Sequence, residues 1–257
     1  MGIDERAELD RPWARTLPAR AARELIICGV LDPLIRCYAR CEVRGREQLA
    51  RIAGPAIFVA NHCSHADTPV LLRALPGRWR RRTAVAAAVD YFYTQPLLAA
   101  AVSLAFGTVP VQRRGGGAGT TVLERLVRDG WSVVVFAEGP RSRDGRVGPL
   151  RTGAAVLAAT QRVPLVPVHI AGTRAAMPIG RRWMHRPAGD RRARHALGVR
   201  FGAPIEVRRR EDRFEAMERV RQFLASCGAR TTPDPKLAAR RRAAGAPATP
   251  TAGGQPV

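Results

Sequence analysis

Lysine is almost absent from this chain. Lys236 is the single one, so arginine supplies nearly all of the 43 basic side chains, which face only 21 acidic ones. A formal net charge of +22 over 257 residues predicts a partner carrying phosphate or another anion. Charge by itself does not choose among nucleic acid, anionic lipid and an acidic carrier. Cysteine is sparse and unpatterned: Cys28, Cys37, Cys41, Cys63 and Cys227 form no Cys-x-x-Cys pair. That argues against a disulfide framework and for a reduced, intracellular protein. Aromatic residues make up only 5% and no recognised nucleic-acid module occurs, which counts against sequence-specific DNA or RNA binding. Uninterrupted apolar runs of the roughly 18 residues needed to span a bilayer are missing too. The nearest, Pro96 to Val111, is broken by Gly107 and Pro110 and predicts a buried or interfacial helix. The charged N-terminus lacks the features of a secretory signal. The Gly-rich stretch after Arg114 lacks the Gly-Lys-Ser/Thr ending of a Walker loop, which argues against nucleotide hydrolysis of that type.

What is present is an alternation of short apolar runs and amphipathic stretches. Residues 18 to 41 predict a basic amphipathic helix, kinked or split at Asp32-Pro33, that either lies on a membrane or packs on the domain. Strand and helix candidates then alternate: 56 to 60, 67 to 75, 83 to 87, 91 to 106, 108 to 112 and 120 to 128. The series continues with 131 to 136, 153 to 161, 165 to 170, 198 to 201 and 212 to 227. This predicts one α/β domain with a largely parallel central sheet flanked by helices, preceded by an N-terminal amphipathic helical segment. The expected boundaries are 1–42 for that segment, 43–227 for the domain and 228–257 for a disordered tail rich in Pro, Ala and Arg, whose removal should be tolerated.

Chemistry concentrates at strand ends. In Asn61-His62-Cys63-Ser64-His65-Ala66-Asp67 a histidine follows the first strand and a carboxylate opens the next helix. Asp67 can accept from one imidazole nitrogen and leave the other as a proton acceptor. A capping histidine with an ordinary first-turn aspartate would explain the pair equally well in isolation. A metal set of His62, His65 and Asp67, serving a hydrolase, is a further reading, although the spacing is not that of common zinc hydrolases. Cys63 is a less attractive nucleophile. Arg113 and Arg114 end a strand beside flexible glycines, as a phosphate clamp would. Glu138, Gly139 and Arg141 follow the strand ending at Phe136: Glu138 can pair with an arginine or take a hydroxyl proton, Gly139 permits close approach, and Arg141 suits phosphate. The fourth string, from Val163 to Val168, is an apolar strand with two prolines. Trp13, Trp79 and Trp183 lie among arginines, which fits residues seated at a lipid headgroup layer.

In this order and spacing the four strings resemble the glycerophospholipid acyltransferases, typified by 1-acylglycerol-3-phosphate acyltransferases, over about Ile52 to Gly172. The Asn-His-x-Ser-x-x-Asp block is complete. Gly107 and Arg113 match the second block. Phe136, Glu138, Gly139, Arg141 and Ser142 match the third, with Ala137 and Pro140 where the family has proline and threonine. The fourth block falls on Val163 to Val168, including Pro167. The resemblance implies His62 as general base steered by Asp67, and a glycerol phosphate gripped by Arg113, Glu138, Gly139 and Arg141. Asn61, Ser64, Gly107, Ser142 and Pro167 would be supporting residues, with the fourth block shaping the acyl-donor side. It further implies acyl-CoA or an acyl carrier protein as co-substrate, a lysophospholipid or another lipid acceptor, and no metal or other cofactor. A backbone N–H near His62 could serve as oxyanion donor. Peripheral attachment to an anionic membrane surface on its cytoplasmic face follows as an expectation, with no specific nucleic acid as partner.

Overall fold

The computed structural model describes residues 9–89, 95–111, 118–190 and 192–243. Helix α1 (Leu17–Leu25) runs through a wider π segment (Ile26–Leu31) into α2 (Asp32–Tyr38). The expected break at Asp32-Pro33 does not occur. Proline has no N–H and its ring crowds the carbonyl four residues back, and the helix accommodates this by widening: the Asp32 N–H bonds Ile27 O, five residues earlier. The first helical stretch stops at Tyr38 and not Cys41, because Ala39–Arg44 is strand β1, paired in parallel with β7 (His195–Phe201). The residues expected to close the N-terminal segment therefore begin the sheet.

Strand β2 (Ile57–Ala60) leads to α3 (Asp67–Ala74) and the short α4 (Gly77–Arg80). Then come β3 (Thr83–Ala88), α5 (Pro96–Phe106), β4 (Thr108–Val111), α6 (Ala118–Arg128) and β5 (Ser132–Phe136). Helix α7 (Gly153–Gln161), β6 (Leu165–Ala171), α8 (Thr173–Ala176) and α9 (Arg213–Ser226) complete the domain, followed by α10 (Pro235–Ala243). Among the described residues seven strands form one sheet in the order β1-β7-β6-β2-β5-β3-β4, parallel throughout except β6 against β7. Of the expected elements, residues 91–94 of the predicted 91–106 helix, Gln112 of the predicted 108–112 strand, and Arg113 with Arg114 lie outside the described residues.

All four residues of β2 are buried, as a strand covered on both faces requires. Phe58, Ala60, Val134 and Val166 pack with Val70 and Leu71 of α3 on one face. Ile57, Val59, Val133 and Leu165 pack with Ala155 and Leu157 of α7 on the other. The connections leaving β2 and β5 thus cross opposite faces, and the ends of these two adjacent strands frame a crevice, the usual ligand position in such sheets. Register puts Ala60 level with both Phe136 and Val168, so the residues after these strands meet. Trp79, expected at a membrane interface, is instead 7% exposed and packs edge-on against Phe58 at 5.6 Å. Pro167 stands in the core of β6, beneath Gly202, at the gap in the β6–β7 ladder between Leu165 and Val168, where a missing N–H costs no strand bond.

Up to Ala243, the chain after Gly228 departs from the disordered tail expected, and residues 244–257 of that tail lie outside the described residues. The Val147 N–H donates to Arg230 O and Val147 O accepts the Thr232 N–H, each at 2.8 Å, while α10 buries Leu237 and is tied to α9 by the pairs Arg240–Asp212 (3.0 Å) and Arg241–Glu215 (2.6 Å). Composition hid this because the contacts are made by arginines meeting acids of a distant helix. Deleting 235–257 should therefore destabilise the domain by about 2 kcal/mol, the worth of one buried leucine, with the exposed ion pairs adding little. Urea denaturation checks this, and an unchanged midpoint would show that α10 contributes nothing.

Candidate active site

The turn joining β2 to α3 is held by two carboxylates. Asp67 is fully buried, and its Oδ2 accepts from the Cys63 N–H at 2.7 Å, the Ser64 N–H at 2.9 Å and His62 Nδ1 at 2.8 Å. Since a carboxylate oxygen accepts, Nδ1 carries the proton and Nε2 is left as the basic nitrogen. Oδ1 accepts from the Thr173 hydroxyl at 2.5 Å, from the first residue of α8. The imidazole is further held by stacking on Phe136, with ring centroids 4.0 Å apart at 21°. His62 and Asp67 are therefore brought together as expected, and a capping role alone does not explain four donors on Asp67 and a stacked ring ordered around one pair.

Glu138 does something other than grip a ligand. Its Oε1 accepts the His62 N–H at 2.8 Å and its Oε2 the Gly148 N–H at 3.2 Å. The carboxyl is a positioning group tying the end of β5 to the end of β2, and burial pushes it up to about 7 despite those two bonds. With the amides of His62, Cys63 and Ser64 all donating to carboxylates, none of them serves as the oxyanion donor. These three N–H groups hold the turn itself.

Asn61 also faces inward. Its side-chain amide donates to Ile170 O at 2.9 Å and accepts the Ile170 N–H at 2.8 Å, extending the β2–β6 ladder by one side chain. Ser64 caps the turn, its hydroxyl accepting the Ala66 N–H and donating to Met177 O at 2.7 Å. The Ser142 N–H donates to His62 O at 2.8 Å, bringing the loop after β5 against the histidine turn. Gly139 has φ +88 and a Cβ there would lie 2.8 Å from Arg151 Nη2, so the close approach is made by an arginine of this chain. Gly107, at φ +65, ends α5, and a Cβ would lie 3.1 Å from the guanidinium carbon of Arg23. Arg113 lies outside the described residues.

Arg141 is half-buried and near enough to His65 to add to the burial that pushes that imidazole down to about 4. Arg141 thus lies within electrostatic range of the histidine turn, at His65. Burial and the adjacent Asp67 push the Cys63 thiol up to about 12, which removes it as a nucleophile at neutral pH. Among the described residues no three metal-ligating side chains converge, and His62, His65 and Asp67 form no ligand set because Asp67 is engaged with the turn. Thr173 escaped the sequence reading because it lies 106 residues from Asp67 with no local motif to mark it. If it orients the carboxylate, Thr173→Val should lower turnover about tenfold, the worth of one hydrogen bond to a charged group, with KM unmoved, and Thr173→Ser should restore it. Equal rates for the valine variant and wild type would remove Thr173 from the relay.

Comparison with known proteins bears on this geometry. The family model described as Acyltransferase matches residues 40–171, just over half of the chain, and that span holds all four motif strings. A chloroplastic 1-acyl-sn-glycerol-3-phosphate acyltransferase of Brassica napus is 33% identical over 147 residues, covering 56% of this chain and 40% of the relative. The human 1-acyl-sn-glycerol-3-phosphate acyltransferase beta is 31% identical over 133 residues, covering 50% of this chain and 45% of the relative. The chain thus spans less than half the length of either relative. The crystal structure of the 1-acyl-sn-glycerophosphate (LPA) acyltransferase PlsC from Thermotoga maritima shares the fold, with a TM-score of 0.61 at 22% identity over 87% of this chain and 85% of that one. The matched span, the complete histidine–aspartate block and its geometry lead to one conclusion: the chain belongs to the Acyltransferase family.

Proposed function

We propose that this chain moves a fatty acyl group from an acyl thioester to the hydroxyl of a lysophospholipid, with 1-acylglycerol 3-phosphate as acceptor and phosphatidic acid as product. The observation that carries the reading is the imidazole of His62, oriented through Nδ1 by a fully buried carboxylate at the open end of the sheet. Nε2 takes the proton of the acceptor hydroxyl as its oxygen attacks the thioester carbonyl. The tetrahedral intermediate then collapses, the ester forms, and the departing thiolate takes the proton back from the imidazolium. No acyl-enzyme is needed, and the thiol of Cys63, held protonated, is unsuited to form one. Arg141, and Arg113 from the matching block, are assigned to the phosphate. The names of the relatives support the acceptor class; the donor is acyl-CoA or an acyl carrier protein, which present the same thioester.

Peripheral attachment to the cytoplasmic face of a membrane belongs to the same proposal. No helix among the described residues is long and apolar enough to cross a bilayer. Helices α1 and α5 pack together, and Leu17 (74% exposed), Leu25 (73%) and Leu97 (87%) stand out from them with Val30 and Leu98. Trp13 and Trp183 are also exposed, in keeping with a headgroup position. Arg23 fixes the pair of helices from inside: its Nε and Nη2 donate to Leu104 O and Ser103 O, each at 2.9 Å, and Nη2 also donates to Ala14 O at 2.6 Å.

Thiol release from acyl-CoA against a panel of lyso-acceptors should be fastest with 1-acylglycerol 3-phosphate, and a clear preference for another acceptor would reassign the substrate. His62→Ala should cut that release by roughly 10² to 10⁴ while the thermal midpoint holds. Undiminished turnover would remove His62 as the base. In vesicle sedimentation the protein should pellet with anionic lipid, less so with neutral lipid, and Leu25→Glu with Leu97→Glu should release it. Absence from both pellets would count against attachment.

A further inference from the structure

Beside the histidine turn, the ends of β2 and β6 and the chain after α9 enclose an open pocket of about 350 Å³. Its lining includes Arg146, Arg174 and Arg230, with the turn at His62 and Cys63 as one wall and residues Cys227 to Arg230 as another. Three guanidinium groups on one pocket repel, so something must hold them. Backbone carbonyls do part of this: Arg174 Nη1 donates to Asp144 O at 3.2 Å and Nη2 to Arg143 O at 2.8 Å, and Arg230 Nη2 donates to the same Asp144 O at 3.3 Å. Gly145, at φ +77, makes room, since a Cβ there would lie 3.2 Å from Arg174 Nη1.

These bonds orient the groups without neutralising them, and a guanidinium has donors beyond the ones used here. The nearby acids do not balance the charge. Asp144 is exposed and accepts the Ser142 hydroxyl and the Arg146 N–H, with Arg146 Nε 4.0 Å from its Oδ2. Glu138 is turned to the amides of His62 and Gly148. An oriented cluster of arginine forks with excess positive charge matches the oxygens of a phosphate better than any other common group.

We infer that this pocket binds a phosphate group of one of the two substrates, in addition to the contacts assigned to Arg113 and Arg141. The inference rests on the acyl-transfer reading for its ligand. The phosphate comes either from the acceptor's phosphomonoester or from the nucleotide end of a CoA thioester. The wall formed by Cys227 to Arg230 lies outside residues 40–171, so the family match does not account for it.

The test uses the full chain with Arg174→Gln, Arg230→Gln and both together, each checked for an unchanged thermal midpoint. Arg230→Gln, which removes only the longer carbonyl bond, keeps the test usable if loss of Arg174 loosens the loop. Inorganic pyrophosphate titrated calorimetrically should bind wild type and bind the folded variants at least about tenfold more weakly. Kinetic arms identify the source. If the donor supplies the phosphate, KM for acyl-CoA rises about tenfold while that for an acyl N-acetylcysteamine thioester does not. If the acceptor supplies it, KM for the lysophospholipid rises instead. Unaltered pyrophosphate binding with unaltered KM for both substrates would overturn the inference. Should wild type transfer no acyl group at all, the acyl-transfer reading falls, and the pyrophosphate titration still decides the pocket.

Discussion

A carboxylate removed entirely from solvent governs this site. Asp67 is fully buried, and a charge in that position is tolerable only when every lone pair meets a donor. Two turn amides, the Thr173 hydroxyl and the imidazole of His62 supply them. The need is mutual. The turn amides would otherwise be buried orphans, and the imidazole would have no fixed tautomer. Removing the carboxylate therefore unmakes the turn as well as the base, which is why the same residue serves fold and chemistry.

Glu138 applies the same physics from the neighbouring strand. Its bond to the His62 amide locks the ends of β2 and β5 together, and the Asn61 amide does so for β2 and β6. Three adjacent strands are thus stapled at the level where the ligand crevice opens, so the turn that carries His62 is braced on a rigid frame. A preorganised base of this kind needs no reorganisation when a hydroxyl arrives. Charge is distributed with similar economy. Arg23 lies buried in the helical pair, where burial holds its guanidinium down to about 10, while Arg146, Arg174 and Arg230 collect at the strand ends. The excess of +22 is therefore not one diffuse field.

The α/β alternation was legible because each strand and helix has its own period, and the helix at 153 to 161 falls as its apolar pattern dictates. Strand β1 was not, since an edge strand with alternating exposure that follows a helix without a break carries little local signal. The π segment before Pro33 was hidden for a related reason: proline marks a disturbance in a helix but not whether it breaks or widens. The order of residues around Lys236 looked like a tail because its partners, Asp212 and Glu215, lie on another helix.

At the site, the pair of His62 and Asp67 could be read directly, because five positions of one turn span the distance between them. The sequence alone determined which residues are able to exchange a proton and where strands end, for these follow from local spacing. Tertiary structure alone decided that Glu138 braces the turn, that Thr173 completes the shell of Asp67, that Trp79 is core, and that three distant arginines share a pocket. Those outcomes depend on strand order and register, which bring residues a hundred positions apart into contact and leave no trace in short-range pattern.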